Sequence, residues 1–323
     1  MSLLEVNNLS VSYRVKGQSL LAVKDVTLEL KPNECLCLVG ESGSGKSTIA
    51  KAILRILDVN AMVEHGEVLL DGTNLLKLSY QRMRSIWSRE LSIIQQDPLS
   101  SLDPSYTIFW QVRELLREHL GKMENEGAMV ENILQSAGIP KSENIAHKYP
   151  FELSGGLQQR VLIAMASALK PKVIIADEPT SALDVKTQAE IILLLKKLAK
   201  ANNSAILLIT HDLGVVAEMA DRVIALYGGQ IVEEQEAMSF FRQPNHPYTR
   251  ALLASRPHNF DQKKKRFQAS SSLTVSKAQK DNCCVFAERC PHCKEPCLTQ
   301  NIPLRVTAEG RTRCLYDWSV HHE

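Results

Sequence analysis

The stretch GESGSGKS at residues 40–47 decides the fold, because it follows a short apolar run at 35–39 and precedes a segment with helical spacing of apolar residues. It matches the pattern G-x-x-x-x-G-K-[ST]. Glycines at these positions let the backbone wrap around a phosphate group, and the N–H groups of the loop and of the following helix point at the anion. The sequence therefore predicts a phosphate-binding loop between a buried strand at 35–39 and a helix at 46–57.

The same loop carries side chains for a nucleotide and its metal ion. Lys46 would hold the β- and γ-phosphates, and Ser47 would be a ligand of Mg²⁺. The predicted nucleotide-binding residues of this loop are Gly40, Ser42, Gly43, Gly45, Lys46, Ser47 and Thr48.

A pair of carboxylates supports this interpretation. The apolar run at 173–176 ends in Asp177 and Glu178. Asp177 is placed to hold Mg²⁺ through its water ligands, and Glu178 could act as a base or orient a water toward the γ-phosphate. The alternative is that both residues only cap the next helix.

Strand and helix patterns alternate along most of the chain. Period-2 or fully apolar runs predict strands at 3–15, 21–30, 35–39, 67–71, 91–95, 173–176, 205–209 and 223–226. Apolar residues at helical spacing predict helices at 185–200 and 213–220 and an all-helical insertion at 105–148. Such alternation indicates a parallel sheet with crossover helices.

A second glycine-containing helix start lies in LSGGLQQR at residues 153–160. Helix N-termini with serine and glycine bind phosphate groups. One nucleotide does not need two such loops from one chain. We therefore expect each chain to give its 40–47 loop to one nucleotide and its second loop to the nucleotide of a partner chain.

Together these residues resemble the nucleotide-binding domain of ABC transporters over about residues 3–255. The resemblance implies ATP as the nucleotide, and in the family the Q-loop residue touches both Mg²⁺ and the attacking water. The switch residue contacts the γ-phosphate, and the second Walker B residue is the catalytic carboxylate. Carried over onto this sequence, the Walker A loop contains Lys46 and Ser47, the Q-loop Gln96, the signature loop Ser154, Gly155 and Gly156, the Walker B pair Asp177 and Glu178, the D-loop Asp184, and the switch His211.

Three further positions bear on the resemblance. Tyr13 stands where the family stacks an aromatic ring on adenine; the less favoured alternative is an ordinary half-buried strand tyrosine. Asn33 replaces a usual glycine before Glu34, and the turn is expected to survive because asparagine tolerates a positive φ. Leu157 replaces a glutamine that is frequent in the family at a position that varies among importer subunits.

The branch of the family is indicated by three segments. QDPLSSLDP at 96–104 and PNHPYTRALL at 244–253 resemble the ATPase subunits of oligopeptide, dipeptide and nickel importers. The third segment is cysteine-rich: Cys284, Cys290, Cys297 and Cys314 match the C-terminal cysteine pattern of that branch, which in relatives implies a [4Fe–4S] cluster. Two alternatives are that the four thiolates bind zinc or that the cysteines bind no metal. Either of the extra residues Cys283 and Cys293 could substitute as a ligand.

Composition limits the partners. The chain has 323 residues and a formal net charge of +2, from 38 basic and 36 acidic residues, so no nucleic-acid partner is expected. Its apolar runs are shorter than the roughly 20 residues that span a bilayer, and the N-terminus lacks a signal-peptide pattern. We therefore expect a cytoplasmic chain that reaches the membrane only through a partner.

The sequence thus predicts an α/β P-loop NTPase with a RecA-like core, an antiparallel β edge and a helical subdomain at about 97–165. The predicted domains are 1–255, a linker at 256–282 and a cysteine-rich C-terminal extension at 283–323. The chain would pair with a second ABC ATPase and dock as a peripheral subunit on an integral membrane permease. An extracytoplasmic binding protein would deliver peptides, nickel or metal chelates, or related small solutes.

Two rival functions remain. One is a soluble ABC ATPase of DNA repair or cofactor assembly, which would have tandem domains, zinc insertions or a bare domain. The other is a non-hydrolysing regulatory subunit, against which the intact Glu178 and His211 count.

Overall fold

The structure, a computed structural model, describes residues 2–141, 144–181, 183–255 and 283–316. The predicted linker at 256–282 and the last part of the extension, 317–323, lie outside the described residues. The strands are β1 (Leu4–Val15), β2 (Gln18–Leu30), β3 (Cys35–Val39), β4 (Ala61–Leu70), β5 (Thr73–Asn74), β6 (Leu91–Ile94), β7 (Val173–Asp177), β8 (Ala205–Ile209), β9 (Arg222–Tyr227), β10 (Gln230–Glu236), β11 (Arg305–Val306) and β12 (Gly310–Thr312).

The helices follow in the same chain order. They are α1 (Lys46–Leu54), α2 (Tyr80–Ile86), α3 (Pro98–Ser101), α4 (Ile108–Leu120), α5 (Glu126–Ser136), α6 (Gly155–Ser167), α7 (Val185–Asn202), α8 (Leu213–Met219), α9 (Ala237–Arg242), α10 (Pro247–Ala254) and α11 (Glu295–Thr299). None of the described helices is both long and apolar enough to cross a membrane.

The main sheet has the strand order β11-β12-β10-β9-β3-β8-β7-β6, with β3 and β6 to β9 mutually parallel. Strands β3 and β8 are buried along their whole length, because helices and the N-terminal sheet described below cover the two faces of the main sheet. Parallel strands present their carboxyl ends at one edge. The residues after β3, β7 and β8 are therefore brought to the same place.

The N-terminal strands form an antiparallel sheet with the order β2-β1-β4-β5, so the predicted antiparallel edge is a sheet of its own. It shares a core with helix α1 and the main sheet, in which Leu9 and Val23 are buried with Ile49. Strand β4 begins at Ala61, six residues before the strand predicted at 67–71. Pairing between β1 and β4 is irregular next to Gly66, whose φ is 111°, and this irregularity breaks the alternating pattern that sequence reading depends on.

The turn before β3 has the geometry expected from its asparagine. Asn33 has a φ of 60°, in the left-handed region that glycine usually fills. The Glu34 carboxylate accepts a hydrogen bond of 2.7 Å from the Lys31 N–H and closes the turn. The family resemblance therefore survives this substitution.

The segment between β6 and β7 is helical, as predicted. Helix α4 begins after Thr107, whose hydroxyl accepts a hydrogen bond from the Trp110 N–H. Val112 of α4, Val130 of α5 and Ile163 of α6 are fully buried in one core. This core fixes the start of α6, where the second phosphate-binding loop was predicted.

The described part of the C-terminal extension continues the main sheet. Strand β12 pairs antiparallel with β10, and Thr312 lies opposite Glu233. The Arg311 guanidinium is hydrogen-bonded to the Glu234 carboxylate of β10. The extension is thus attached to the core by backbone and by charge, although the domain boundaries remain a prediction.

A largely buried ion network joins strands β9 and β10 to the turn before β3, and we predict that it matters for stability. Arg222 bonds Glu34 at 2.7 Å and also bonds Glu234, and all three side chains are at most 15% exposed. Arg222→Ala would leave two buried carboxylates with less compensation, so the free energy of unfolding should fall by about 3 kcal/mol. Urea unfolding measures this. The matched control is Arg84→Ala, which breaks the exposed ion pair between Arg84 and Glu118. That substitution should lower the free energy of unfolding by less than about 1 kcal/mol. Equal losses in the two variants would contradict the prediction.

Candidate active site

The 40–47 loop is pressed against two neighbouring strands, which explains its glycines. A Cβ on Gly40 (φ 155°) would lie 2.3 Å from the Leu226 carbonyl oxygen, and one on Gly45 (φ 102°) would lie 2.8 Å from that of Ala22. Both distances are shorter than any real Cβ contact, and both backbones are strained for other residues. The loop can therefore adopt this path only with glycine at these positions.

Lys46 occupies the centre of the loop. Its Nζ donates hydrogen bonds to the carbonyl oxygens of Gly40 (2.8 Å) and Glu41 (2.9 Å). Burial lowers the pKa of Lys46, an effect that the negative charges of Glu178 and Asp177 partly oppose. A buried cation with several donors is suited to hold phosphate oxygens.

Ser47 and Asp177 meet across the loop. The Ser47 hydroxyl donates a hydrogen bond of 3.1 Å to Asp177 Oδ1. Burial raises the pKa of the Asp177 carboxyl, while the bond from Ser47 lowers it. A hydroxyl and a carboxylate at this spacing are oxygen ligands of the kind that Mg²⁺ prefers.

Two side chains from other strand ends converge on Glu178. Its carboxylate accepts a hydrogen bond of 3.2 Å from Gln96 Nε2, and His211 Nδ1 lies 3.1 Å from its other oxygen. The Glu178 N–H donates to the Ile209 carbonyl oxygen at 2.8 Å, and Glu178 has a φ of 46°. A non-glycine residue held in the left-handed region is a form of strain that is concentrated at functional sites.

These groups surround one open cavity of about 500 Å³. Gln96, Glu178 and His211 line one part of it. The remaining wall consists of Ala22, Ser42, Gly43, Gly45, Lys46, Ser47 and Thr48. The structure therefore brings together most of the predicted residues of the phosphate-binding loop and the three predicted catalytic residues. Gly40 does not line the cavity, and neither does Asp177, which accepts the hydrogen bond from Ser47.

The signature and D-loop residues do not line this cavity. Ser154 caps helix α6 by accepting a hydrogen bond of 3.4 Å from the Leu157 N–H, next to Gly155 and Gly156. Asp184 caps helix α7, and its pKa is lowered by the hydrogen bond from the Thr187 hydroxyl. A single chain thus leaves the second phosphate-binding surface without a role at its own nucleotide site.

Tyr13 lies beside helix α1, which follows the phosphate-binding loop, and its role can be tested. Its hydroxyl is 3.4 Å from Thr48 Oγ1, and Thr48 lines the cavity. If the ring stacks on adenine, Tyr13→Ala should weaken ATP binding about tenfold, whereas Tyr13→Phe should bind normally. Titration with a fluorescent ATP analogue measures the Kd. A Tyr13→Ala variant with unchanged affinity would show that Tyr13 is an ordinary strand residue.

The cysteines matched to the family pattern also converge, far along the chain from this site. Cys284, Cys290, Cys297 and Cys314 line one small cavity with His246 and His292. Burial raises the pKa of the Cys284 thiol to about 11 and also raises that of Cys290. Cys283 and Cys293 do not line it. Across the described ranges, no three His, Cys, Asp or Glu side chains are placed to hold a single metal ion as they stand.

Two contacts of the nucleotide site were not anticipated from the sequence. Ala22 of β2 forms part of the cavity wall. The Tyr248 hydroxyl accepts a hydrogen bond of 2.9 Å from the Glu41 N–H in the loop. The segment 244–253 served only as a marker of the family branch, and nothing in its local pattern shows that it reaches residue 41.

The comparisons with known proteins agree with this geometry. A profile of the family described as ABC transporter matches residues 23–181, and one described as the C-terminal region of oligopeptide/dipeptide transporters matches residues 232–297. The dipeptide transport ATP-binding protein DppD of Escherichia coli K12 is 39% identical over 318 residues, 98% of this chain and 97% of that protein. The chain belongs to the ABC transporter ATP-binding family.

Other members of the family support the same assignment. The oligopeptide transport ATP-binding protein OppD of Bacillus subtilis 168 is 44% identical over 258 residues, 79% of this chain and 72% of that protein. A solved dimeric structure of the ATP-binding cassette MJ0796 with ADP and Pi is 32% identical and covers 72% of this chain and 98% of its own, with a TM-score of 0.65. The predicted P-loop fold is confirmed, and this ABC ATPase binds and hydrolyses ATP.

Proposed function

We propose that this ABC ATPase powers the import of peptides through a membrane permease. The proposal is supported by the full-length similarity to DppD and by the match of its C-terminal region to oligopeptide/dipeptide transporters. A soluble ABC ATPase of DNA repair or cofactor assembly is not expected to contain the C-terminal region of oligopeptide/dipeptide transporters. Nickel and metal chelates, the other cargo class of the predicted branch, are distinguished by the transport test that closes the Discussion.

The arrangement around Glu178 supports hydrolysis by water activation. The Glu178 carboxylate is proposed to accept the proton of the water that attacks the γ-phosphate, with Gln96 orienting that water. His211, 3.1 Å from Glu178, would then contact the γ-phosphate. Ser47, Asp177 and Gln96 would hold Mg²⁺, which offsets phosphate charge when bound. Lys46 would exchange the carbonyls of its own loop for phosphate oxygens.

The unused second loop supports a paired arrangement. Ser154, Gly155 and Gly156 lie at a helix N-terminus that does not face their own cavity. Two chains, or this chain and a related ATPase, would place each signature loop over the nucleotide of the other. Asp184 lies at the start of the next helix and would lie at the same interface. The similar MJ0796 structure is described as dimeric.

An apolar groove supports docking on a permease. It has a volume of about 380 Å³ and lies between the main sheet and the helical subdomain. Trp87 and Leu91 line its sheet side, and Leu115 and Met165 line its helical side. Gln95 also lines the groove, and the next residue, Gln96, is hydrogen-bonded to Glu178. A helix of the permease seated here would act on the catalytic carboxylate through this pair of residues.

Co-purification tests the permease proposal. The tagged chain is purified from gently solubilised membranes of its native cell, and the bound proteins are identified by mass spectrometry. A polytopic membrane protein and a second ATPase should be recovered with it, and Leu115→Glu in the groove should lose the membrane protein. Leu193→Glu, which places the same charge on the exposed side of α7, should retain it. Recovery of soluble partners alone would overturn the proposal.

The cysteine cavity is proposed to hold an iron–sulfur cluster. The thiols of Cys284, Cys290, Cys297 and Cys314 line one cavity and fit the donor set of such a cluster, which when bound would hold the extension together. Anaerobic purification followed by iron, sulfide and zinc analysis tests this. Iron and acid-labile sulfide in equal amounts, lost in Cys290→Ser, are expected. Zinc in their place, or no metal at all, would overturn the proposal.

A further inference from the structure

The C-terminal extension touches the phosphate-binding loop through one arginine. Arg289 lies in a 3-10 turn, Ala287–Arg289, between Cys284 and Cys290. Its Nη1 donates to Glu41 Oε2 at 2.8 Å, and its Nη2 donates to Glu41 Oε1 at 2.9 Å. Glu41 is the second residue of the loop. Two parallel hydrogen bonds between a guanidinium and a carboxylate fix orientation as well as distance.

The guanidinium is itself held in place by aromatic rings. It lies 5.5 Å from the ring centroid of Tyr227 and 5.9 Å from that of Phe286. Its Nη1 also donates to the Tyr227 hydroxyl at 3.3 Å. Tyr227 ends strand β9 of the core, and Phe286 belongs to the extension, so both parts of the chain hold Arg289.

The main chain of Glu41 is held by different partners. Its N–H donates to the hydroxyl of Tyr248, which is buried and packs against the rings of Tyr227 and Phe286. Its carbonyl oxygen accepts from Lys46 Nζ. The extension therefore also supports Tyr248, which accepts the hydrogen bond from the Glu41 N–H, because Phe286 of the extension packs against the Tyr248 ring.

The charge of Glu41 would otherwise oppose nucleotide binding. Burial lowers the pKa of Lys46, and the negative charge of the Glu41 carboxylate partly opposes that effect. An unpaired carboxylate beside Lys46 would repel the phosphates that Lys46 is proposed to hold. Paired with Arg289, the carboxylate is neutralised and the loop is held in one path before the nucleotide arrives, which lowers the ordering cost of binding.

We propose that Arg289 is a positioning residue for nucleotide binding, and that the cysteine-rich extension supports the phosphate-binding loop through the Arg289–Glu41 pair. The extension is then part of the machinery that sets ATP affinity, and not only a C-terminal appendage. Arg289 does not line the cysteine cavity, so its proposed role does not depend on what occupies that cavity.

A double-mutant cycle on the full chain tests the proposal. The Kd of ADP with Mg²⁺, which cannot be hydrolysed, is measured by calorimetry for the wild type, Arg289→Ala, Glu41→Ala and the double variant. Because the pair is partly exposed, Arg289→Ala should weaken ADP binding about fivefold. Glu41→Ala removes the repulsive charge, so the double variant should bind within about twofold of the single Glu41→Ala variant.

The double-mutant cycle distinguishes two roles of Arg289: neutralising the Glu41 carboxylate, or only stabilising the folded extension. If Arg289 only helped the extension to fold, the double variant would remain as weak as Arg289→Ala, and that result would overturn the proposal. Unchanged ADP affinity in Arg289→Ala would also overturn it. Arg289→Lys, which keeps the charge without the paired hydrogen bonds, should fall between the wild type and Arg289→Ala. Lys294→Ala is the matched control, because Lys294 is a cation of the same extension that contacts the Tyr316 ring.

Discussion

Replacing Glu178 with glutamine is expected to lower kcat for ATP hydrolysis about 1,000-fold while ATP binding stays intact. The amide keeps the shape of the side chain but cannot accept the proton of the attacking water. The glutamine can still contact Gln96 and His211, which lie 3.2 and 3.1 Å from the Glu178 carboxylate in the wild type. Steady-state phosphate release gives kcat, and titration with a fluorescent ATP analogue gives the Kd.

Glu67→Gln provides the control for that loss. Glu67 lies on the antiparallel sheet and pairs with Lys77 at an exposed position, so its substitution should leave kcat unchanged. A Glu178→Gln variant that retained a tenth or more of the wild-type kcat would assign water activation to a different group.

Replacing Lys46 with alanine is expected to weaken ATP binding by about 30-fold or more, because each hydrogen bond to a charged phosphate contributes roughly 1.5–3 kcal/mol. The substitution removes the buried ammonium that lies 2.8 Å from the Gly40 carbonyl oxygen and 2.9 Å from that of Glu41. Calorimetric titration with ATP and Mg²⁺ measures the effect.

Lys51→Ala is the matched control for the loss of positive charge. Lys51 lies on the same helix but is partly exposed and pairs with Asp58 at 3.1 Å. Its loss should change the Kd of ATP by no more than about twofold. If both lysine variants lost affinity equally, the effect of Lys46 would be a general effect of charge and not of phosphate contact.

Local signals in the sequence predict the place of the phosphate-binding loop in the fold. The 40–47 loop is recognisable because its glycines, lysine and serine are adjacent in the chain, and the structure places it between β3 and α1 as predicted. The carboxylates after β7 and the histidine after β8 follow short apolar runs, which parallel pairing brings to one edge. These features need no knowledge of distant contacts.

Features that depend on distant contacts were not predicted. Arg289 reaches Glu41 across 248 residues, and its own segment shows only a cysteine pattern. Strands β11 and β12 have two and three residues, too few for an alternating pattern, and they exist because β10 offers a free edge. The start of β4 was missed because the irregular pairing near Gly66 interrupts the alternation.

The proposed site residues differ in the partners that they need. Gln96 and His211 each contact Glu178 directly, and we propose that the three side chains act together. Ser154 and Asp184 instead require a second chain, and the cysteines require an occupant.

The import of labelled peptides by the native cell tests the central claim most directly. A strain that lacks this chain is complemented with the wild type or with Glu178→Gln, and uptake of a labelled dipeptide, a labelled oligopeptide and nickel is measured. Peptide uptake should be lost on deletion, restored by the wild type and not restored by Glu178→Gln. Loss of nickel uptake alone would assign a metal cargo, and uptake of all three solutes at wild-type rates in the deletion strain would contradict the importer function.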